Sequence, residues 1–390
     1  MHLGFVSYEY PPDTGQGGIA TYVQQVSGML AAWGVEVDVV AGSATRTGSI
    51  RLAPNLRIQF VPCSSRAEFI RRSPEAVLAL HTKFPFDGIE CPEYGAEARF
   101  MREKLPDVRL WVKLHTPSYL VKRLNDRYYD RSIWRRIKNS LWPYRKEADP
   151  EYRALQSVDQ ILAPCESMRA IATTDWALPA DRVQVVPNPY QVGDAFSSID
   201  LPNGAPTVLY AGRLETRKGV WNLAKAIPLV LKQFPAAEFI FLGKDSRGPF
   251  RERSMKQVML AELGSCADRV TFLDAVPLTE VPGVMARASV AVFPSLWENF
   301  PNVCLEAMVA GRAVVASAAG GMVDMLAPCS GGVFIDPEDP ASIADGLLSL
   351  LRDPERVREM GLRNRARAVQ YYGKELADEL FDRYRTLCFR

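Results

Sequence analysis

The chain has 390 residues, 47% of them hydrophobic and 24% charged, with a formal net charge of +2. That length exceeds one ordinary core and points to two domains, and the composition is that of a soluble globular protein. The near-balanced charge gives nucleic acid no global electrostatic support as a partner, and no apolar run reaches the about 18 residues that a membrane span needs.

The sequence opens on His2-Leu3-Gly4-Phe5-Val6-Ser7, which reads as a strand with no basic segment or cleavage site ahead of it, so no secretion signal is expected. A glycine loop, Gly15-Gln16-Gly17-Gly18, leads into a helix near 18–33. Strands follow near 35–41, 57–61, 87–90, 109–114, 159–163 and 183–186, with helices near 67–80, 94–104 and 166–173. Residues 186–206 are rich in Pro, Gly, Asn and Ser and read as a linker. A second series then starts on the strand 207–211. It continues with helix 219–233, strand 237–242, helix 251–263, strand 269–273, helix 278–286, strand 289–293, helix 302–310 and strands 313–317 and 332–335. The tail from 354 to 390 reads as helices. Repeated strand-helix-strand order argues for an α/β chain of two doubly wound, Rossmann-like domains with parallel sheets. The expected division is 1–190, a linker at 191–205, and 206–372. Seven scattered cysteines without a C-x-x-C pair suggest free thiols in a reducing cytoplasm, and three histidines are too few for a histidine-rich metal site.

Two segments carry chemistry. In P-S-L-W-E-N-F-P-N-V-C-L-E-A-M, Glu298 falls in a loop after a strand and Glu306 about one turn into the helix that Asn302 can open. Both carboxylates can face one ligand at the carboxyl end of a strand; Glu306 is equally explained as an acid that suits a helix start. Cys304 has apolar neighbours and reads as packing. In Gly212-Arg213-Leu214-Glu215-Thr216-Arg217-Lys218-Gly219, a basic loop sits between a strand and a helix. Arg213 offers a planar donor fork and Lys218 a point charge, and with the free amides of a helix start they suit a diphosphate; the alternative is two solvated loop cations.

The order G-R-L-x-x-x-K-G, then E-x7-E about 80 residues later, with Gly17-Gly18, His115 in V-K-L-H-T-P, Pro187-Asn188 and Gly320-Gly321, resembles the retaining, nucleotide-sugar-dependent glycosyltransferases of the GT-B fold, family 4 type. The resemblance covers essentially the whole chain. It implies two Rossmann-like domains facing a cleft, with the helix near 373–390 packing back on the first domain. It also implies transfer of a hexose, from a uridine carrier by preference, to an acceptor hydroxyl with retention, and no cofactor or metal beyond the nucleotide-sugar co-substrate. Residue by residue, it implies that Arg213 and Lys218 hold the diphosphate, Glu306 binds the ribose and Glu298 faces the donor sugar. Backbone groups of Asn299, Phe300, Pro301, Asn302 and Val303 would touch sugar hydroxyls and phosphates. Gly17 and Gly18 would admit phosphates or acceptor, and His115 would lie near the donor sugar. Many members carry glycine where this chain has Phe300-Pro301, and proline removes a backbone donor.

Other readings compete. Gly15-x-Gly17-x-x-Ala20, with Asp38 ending the next strand, matches the dinucleotide pattern of an NAD-dependent oxidoreductase, although Tyr10-Pro11-Pro12-Asp13-Thr14 breaks the tight turn that pattern needs. A nucleotide-sugar epimerase or phosphorylase, or a non-catalytic sugar-nucleotide binder, would use the same fold. Residues 122–146 hold nine Lys or Arg against two acids, interleaved with Tyr128, Tyr129, Trp134 and Trp142. The stretch reads either as a helix resting on an anionic bilayer, delivering a lipid-linked acceptor at the inner face of the membrane, or as a helix packed on its own domain.

Overall fold

Apolar runs such as Val39-Val40-Ala41 and Ala313-Val314-Val315-Ala316 lack strict alternation, which is the mark of strands covered on both faces. The computed structural model places them in two parallel sheets. It describes residues 1–15, 17–126, 144–202, 206–249, 253–371 and 374–389.

The first unit comprises Met1–Ser118, Tyr144–Gln191 and Tyr371–Arg390. Its strands are β1 (His2–Ser7), β2 (Glu36–Ser43), β3 (Gly48–Ala53), β4 (Leu56–Pro62), β5 (Gly88–Pro92), β6 (Arg109–Lys113), β7 (Gln160–Ala163) and β8 (Val183–Val185). They lie in the order β3-β4-β2-β1-β5-β6-β7-β8. All pairs are parallel except β3 with β4, an antiparallel edge that the sequence reading did not include. Its residues are almost all exposed, so no apolar pattern marks it. The helix expected at 94–104 shrinks to Met101–Lys104. Gly95 and Ala96 take positive φ, and the N–H of Gly95 donates to the Glu151 carboxylate at 2.8 Å instead of entering a helix. Helix Pro150–Gln156 was not expected.

The helix Lys374–Phe389 packs on this sheet through a buried carboxylate. Glu90 accepts hydrogen bonds from Tyr22, Trp111 and Tyr384, each at 2.8 Å, so burial leaves it with three neutral donors. Beside it, Lys113 donates to the carbonyl of Val186, and burial pushes its ammonium down to about 8, against the pull of Glu90. Most of the basic stretch falls at 127–143, outside the described residues. Of its ends, Tyr144 donates to Asp149 at 2.6 Å and Lys146 to the Trp176 carbonyl at 2.9 Å. Among the described residues no helix is long and apolar enough to cross a membrane.

Among the described residues the second unit takes in 119–126, most of the helix Ser118–Asp126, and Val192–Gln370. Its strands are β9 (Thr207–Ala211), β10 (Glu238–Leu242), β11 (Val270–Leu273), β12 (Val290–Phe293), β13 (Ala313–Ser317) and β14 (Gly332–Ile335), in the order β11-β10-β9-β12-β13-β14 and all parallel. Helices Val220–Gln233 and Pro340–Leu351 bury Leu223, Ile227, Ile343 and Leu347 in its core. The second of these helices was not expected. Residues 198–202, inside the stretch read as linker, are held here by two arginines. Arg312 donates to the carbonyls of Ala310, Ala288 and Asp200, and Arg365 to those of Ile199, Val309 and Ala310.

Candidate active site

The second sheet runs outward from β9 to β11 and then returns to lay β12 against the other side of β9. At such a reversal the loops leaving two adjacent strands diverge, and open α/β sheets bind ligands in that crevice. The loop after β9 is the basic segment 212–219, and the loop after β12 carries Glu298. The strand order therefore places both motifs at one point, although 80 residues separate them.

The two loops are sewn together by backbone. The N–H of Leu296 donates to the carbonyl of Arg217 at 2.8 Å. Gly219, at φ 70°, ends the 310 turn Thr216–Lys218, and a Cβ there would fall onto the carbonyl oxygen of Pro294. On the other flank, the N–H of Gly321 donates to the carbonyl of Glu298 at 2.9 Å. Gly320, at φ 95°, admits that carbonyl where a Cβ would overlap it.

The side chains meet on this frame. Lys218 donates to Oε1 of Glu298, Ser295 donates to the same oxygen at 2.8 Å, and Arg217 Nη1 lies 3.9 Å from it. Burial pushes the Glu298 carboxyl up, but the attraction of Lys218 and Arg217 and the Ser295 hydrogen bond outweigh it and hold the group below its ordinary range. Burial pushes the Lys218 ammonium down, against the pull of Glu298. Glu215 bridges the remaining cations, 2.8 Å from Arg217 and 3.3 Å from Arg213. Arg213 itself is exposed, with Glu215 as its ion-pair partner. Arg217, Glu215 and Ser295 are members of the cluster that sequence reasoning passed over. Arg217 adjoins Lys218 and was within reach; Glu215 and Ser295 gain their roles only from the fold.

The helix Asn302–Val309 begins with Pro301 in the cap position, where a missing N–H removes no intrahelical bond. The first amides of a helix have no intrahelical partner, so those at Asn302 and Val303 are donors at its open end. Glu306 is buried on the same helix, and Asn299 and Phe300 are buried in the loop. Cys304 is fully buried, and burial drives its thiol well above the usual range, as fits packing.

Two family profiles match the chain, "Glycosyltransferase Family 4" over residues 16–192 and "Glycosyl transferases group 1" over 205–353. The chain belongs to the GT-B glycosyltransferases. Among its relatives is the D-inositol 3-phosphate glycosyltransferase of Nocardia farcinica, 26% identical over 96% of this chain and 86% of that protein. The fold of this glycosyltransferase is also that of sucrose-phosphate synthase from Thermosynechococcus elongatus (TM-score 0.73, 24% identity, 99% of this chain and 98% of that one). HepE from Anabaena in complex with UDP shares it too (TM-score 0.68, 15% identity, 99% and 100% covered).

The other named residues belong to the first unit of the glycosyltransferase. Gly17 caps the helix Gly18–Ala32 with φ −90°, and a Cβ on Gly18 would meet nothing within 4 Å. The protein's own backbone thus requires glycine at neither position. His115 follows β6, buried, with its ring edge-on to Tyr22. The dinucleotide pattern fails on geometry. Asp38 does not end a strand but lies inside β2, where Arg57 binds both its oxygens at 2.6 Å and His2 lies 3.0 Å away. An acid committed to an internal ion pair in mid-strand is not placed to meet a ribose beyond the strand's end.

Proposed function

We propose that this glycosyltransferase moves a hexose from a nucleotide-diphosphate sugar, with uridine as the favoured nucleotide, to an acceptor hydroxyl with retention of anomeric configuration. The observation that carries this is the Lys218–Glu298 pair at the strand reversal, with Arg217 and Arg213 beside it. Breaking the bond between the anomeric carbon and the diphosphate leaves negative charge on phosphate oxygens. Preorganised cations and helix amides aimed at that charge are typically the largest catalytic contribution. An ammonium has three N–H donors, so Lys218 can keep Glu298 and still serve a phosphate oxygen. Arg213 closes on the diphosphate from outside, and side-chain cations do this work without a metal.

In this reading Glu306 binds the ribose hydroxyls, Glu298 faces the sugar, and the backbone of Asn299 to Val303 meets sugar hydroxyls and phosphates. Gly17 and Gly18 leave room for phosphates or acceptor, and His115 stands near the donor sugar. The UDP and glucose named in the HepE complex support the choice of donor class, and the inositol phosphate named for the relatives supports a hydroxyl acceptor. Synthesis of a polysaccharide, glycolipid or glycoconjugate on the cytoplasmic side of a membrane fits the same chemistry. Binding of the chain to anionic vesicles in a flotation assay tests that setting.

The deciding experiment is a thermal-shift panel of nucleotide-sugars. Stabilisation follows RT ln(1 + [L]/Kd), so one donor should stand out. A flat panel would overturn the donor assignment. Product analysis with and without acceptor separates transfer from epimerisation or phosphorolysis.

A further inference from the structure

The first sheet also reverses its order, between β1 and β5, and the loops leaving β5 and β6 carry Glu93 and His115. Glu93 is one hundredth exposed. Its Oε2 accepts the backbone N–H of His115 at 2.7 Å and lies 3.3 Å from Nδ1 of the same ring. The carbonyl oxygen of Lys113 lies 3.1 Å from Nδ1. Two oxygens that can only accept therefore face one ring nitrogen, and a lone pair there would be repelled by both, so Nδ1 carries the proton. The other ring nitrogen, Nε2, and the second carboxylate oxygen, Oε1 of Glu93, are both buried with no hydrogen-bond partner among the described residues. Buried polar atoms left in this condition are uncommon and call for a partner.

We propose that Glu93 both positions His115 and contacts the ligand. It locks His115 in the Nδ1–H tautomer, so that Nε2 and Glu93 Oε1 together accept hydrogen bonds from two hydroxyls of a bound sugar or polyol. The proposal rests on the glycosyl-transfer reading for the identity of that ligand, but not for the tautomer. Neutral His115 is thus an acceptor, not a donor, toward its ligand. Glu93 acts twice, through the backbone N–H that sets where the residue sits and through the ring that sets its polarity.

Only three histidines are present, so the test is spectroscopic. In protein labelled with 15N-histidine, long-range proton–nitrogen correlations distinguish a protonated ring nitrogen from a bare one, and His115→Gln assigns the signals. In the neutral ring the wild type should show a bare Nε2 and a protonated Nδ1. Glu93→Gln, which can keep one oxygen toward the ring, should retain that pattern, whereas Glu93→Ala should give mixed tautomers. With UDP-glucose as donor and UDP release as readout, Glu93→Ala should lose at least about tenfold in kcat/KM, and Glu93→Gln should recover part of it. A protonated Nε2 in the neutral wild-type ring overturns the proposal, as does a Glu93→Ala protein with unchanged spectrum and turnover. If Glu93→Ala fails to fold, the wild-type spectrum decides alone. The expected spectrum without any UDP release would count against the donor assignment and leave the tautomer standing.

Discussion

Lys218 and Glu298, 80 positions apart, share a hydrogen bond at the point where the second sheet reverses its strand order. Replacing Lys218 by Ala should lower turnover by about 10²–10³, roughly 3–4 kcal/mol of lost transition-state stabilisation. The protein should stay folded, as judged by its circular dichroism. Unchanged turnover would remove the diphosphate assignment. In a double-mutant cycle of Lys218→Met and Glu298→Gln, followed by urea unfolding, the coupling should be on the order of 0.5–3 kcal/mol. Additive effects would mean that the pair contributes no net stability.

The same crevice depends on two glycines. Gly219→Ala and Gly320→Ala each add a Cβ onto a carbonyl oxygen, of Pro294 and Glu298 respectively, at positive φ. Each should destabilise by on the order of 3 kcal/mol or more and abolish donor-induced thermal shifts. Gly18→Ala, with open space around its Cβ, is the contrast and should leave stability nearly unchanged.

Tyr384→Phe removes one of the three donors to buried Glu90. The expected loss is about 1.5–3 kcal/mol, the usual range for a hydrogen bond to a charged group, measured as a lower urea midpoint at constant slope. An unchanged midpoint would show that the C-terminal helix holds to the first unit without this bond.

Stability of the first unit should fall with rising pH through Glu151. Burial and the neighbouring Glu93 push its carboxyl up to about 7 from a usual 4.5, against donors from Ser118 and Gly95. A raised pKa means that the folded state holds the proton more tightly. The contribution is complete below about pH 4.5 and is lost as pH rises through 7, on the order of 3 kcal/mol in all. Glu151→Gln, the neutral isostere of the protonated carboxyl, should flatten that part of the curve, so that wild type and variant differ least at pH 4.5 and most above 7 in urea unfolding. Parallel curves would refute the assignment.

Much of this was legible in the sequence. Parallel strands covered on both faces leave continuous apolar runs, and the strands of the second series were found within a residue or two. Strand β3 was not, because an exposed edge carries no such signal. Arg213, Lys218 and Glu298 stood out because charge in a glycine-flanked or proline-flanked loop after a strand is uncommon, and Glu306 because it follows Glu298 by eight positions on the next helix. Which of them touch was not legible, since strand order decides it: β9 and β12 are neighbours in space and far apart in sequence. Glu93 was silent for the same reason. Its partner lies in the loop after the next strand, and a lone glutamate in C-P-E-Y announces no histidine.

The arginines at 312 and 365 bear on how the second unit can be produced alone. A chain beginning at 206 would remove one carbonyl partner from each, Asp200 from buried Arg312 and Ile199 from half-buried Arg365. One beginning at Val192 keeps them, along with the short helix Asp194–Ser197, and is the fragment on which nucleotide affinity should be measured without the first unit.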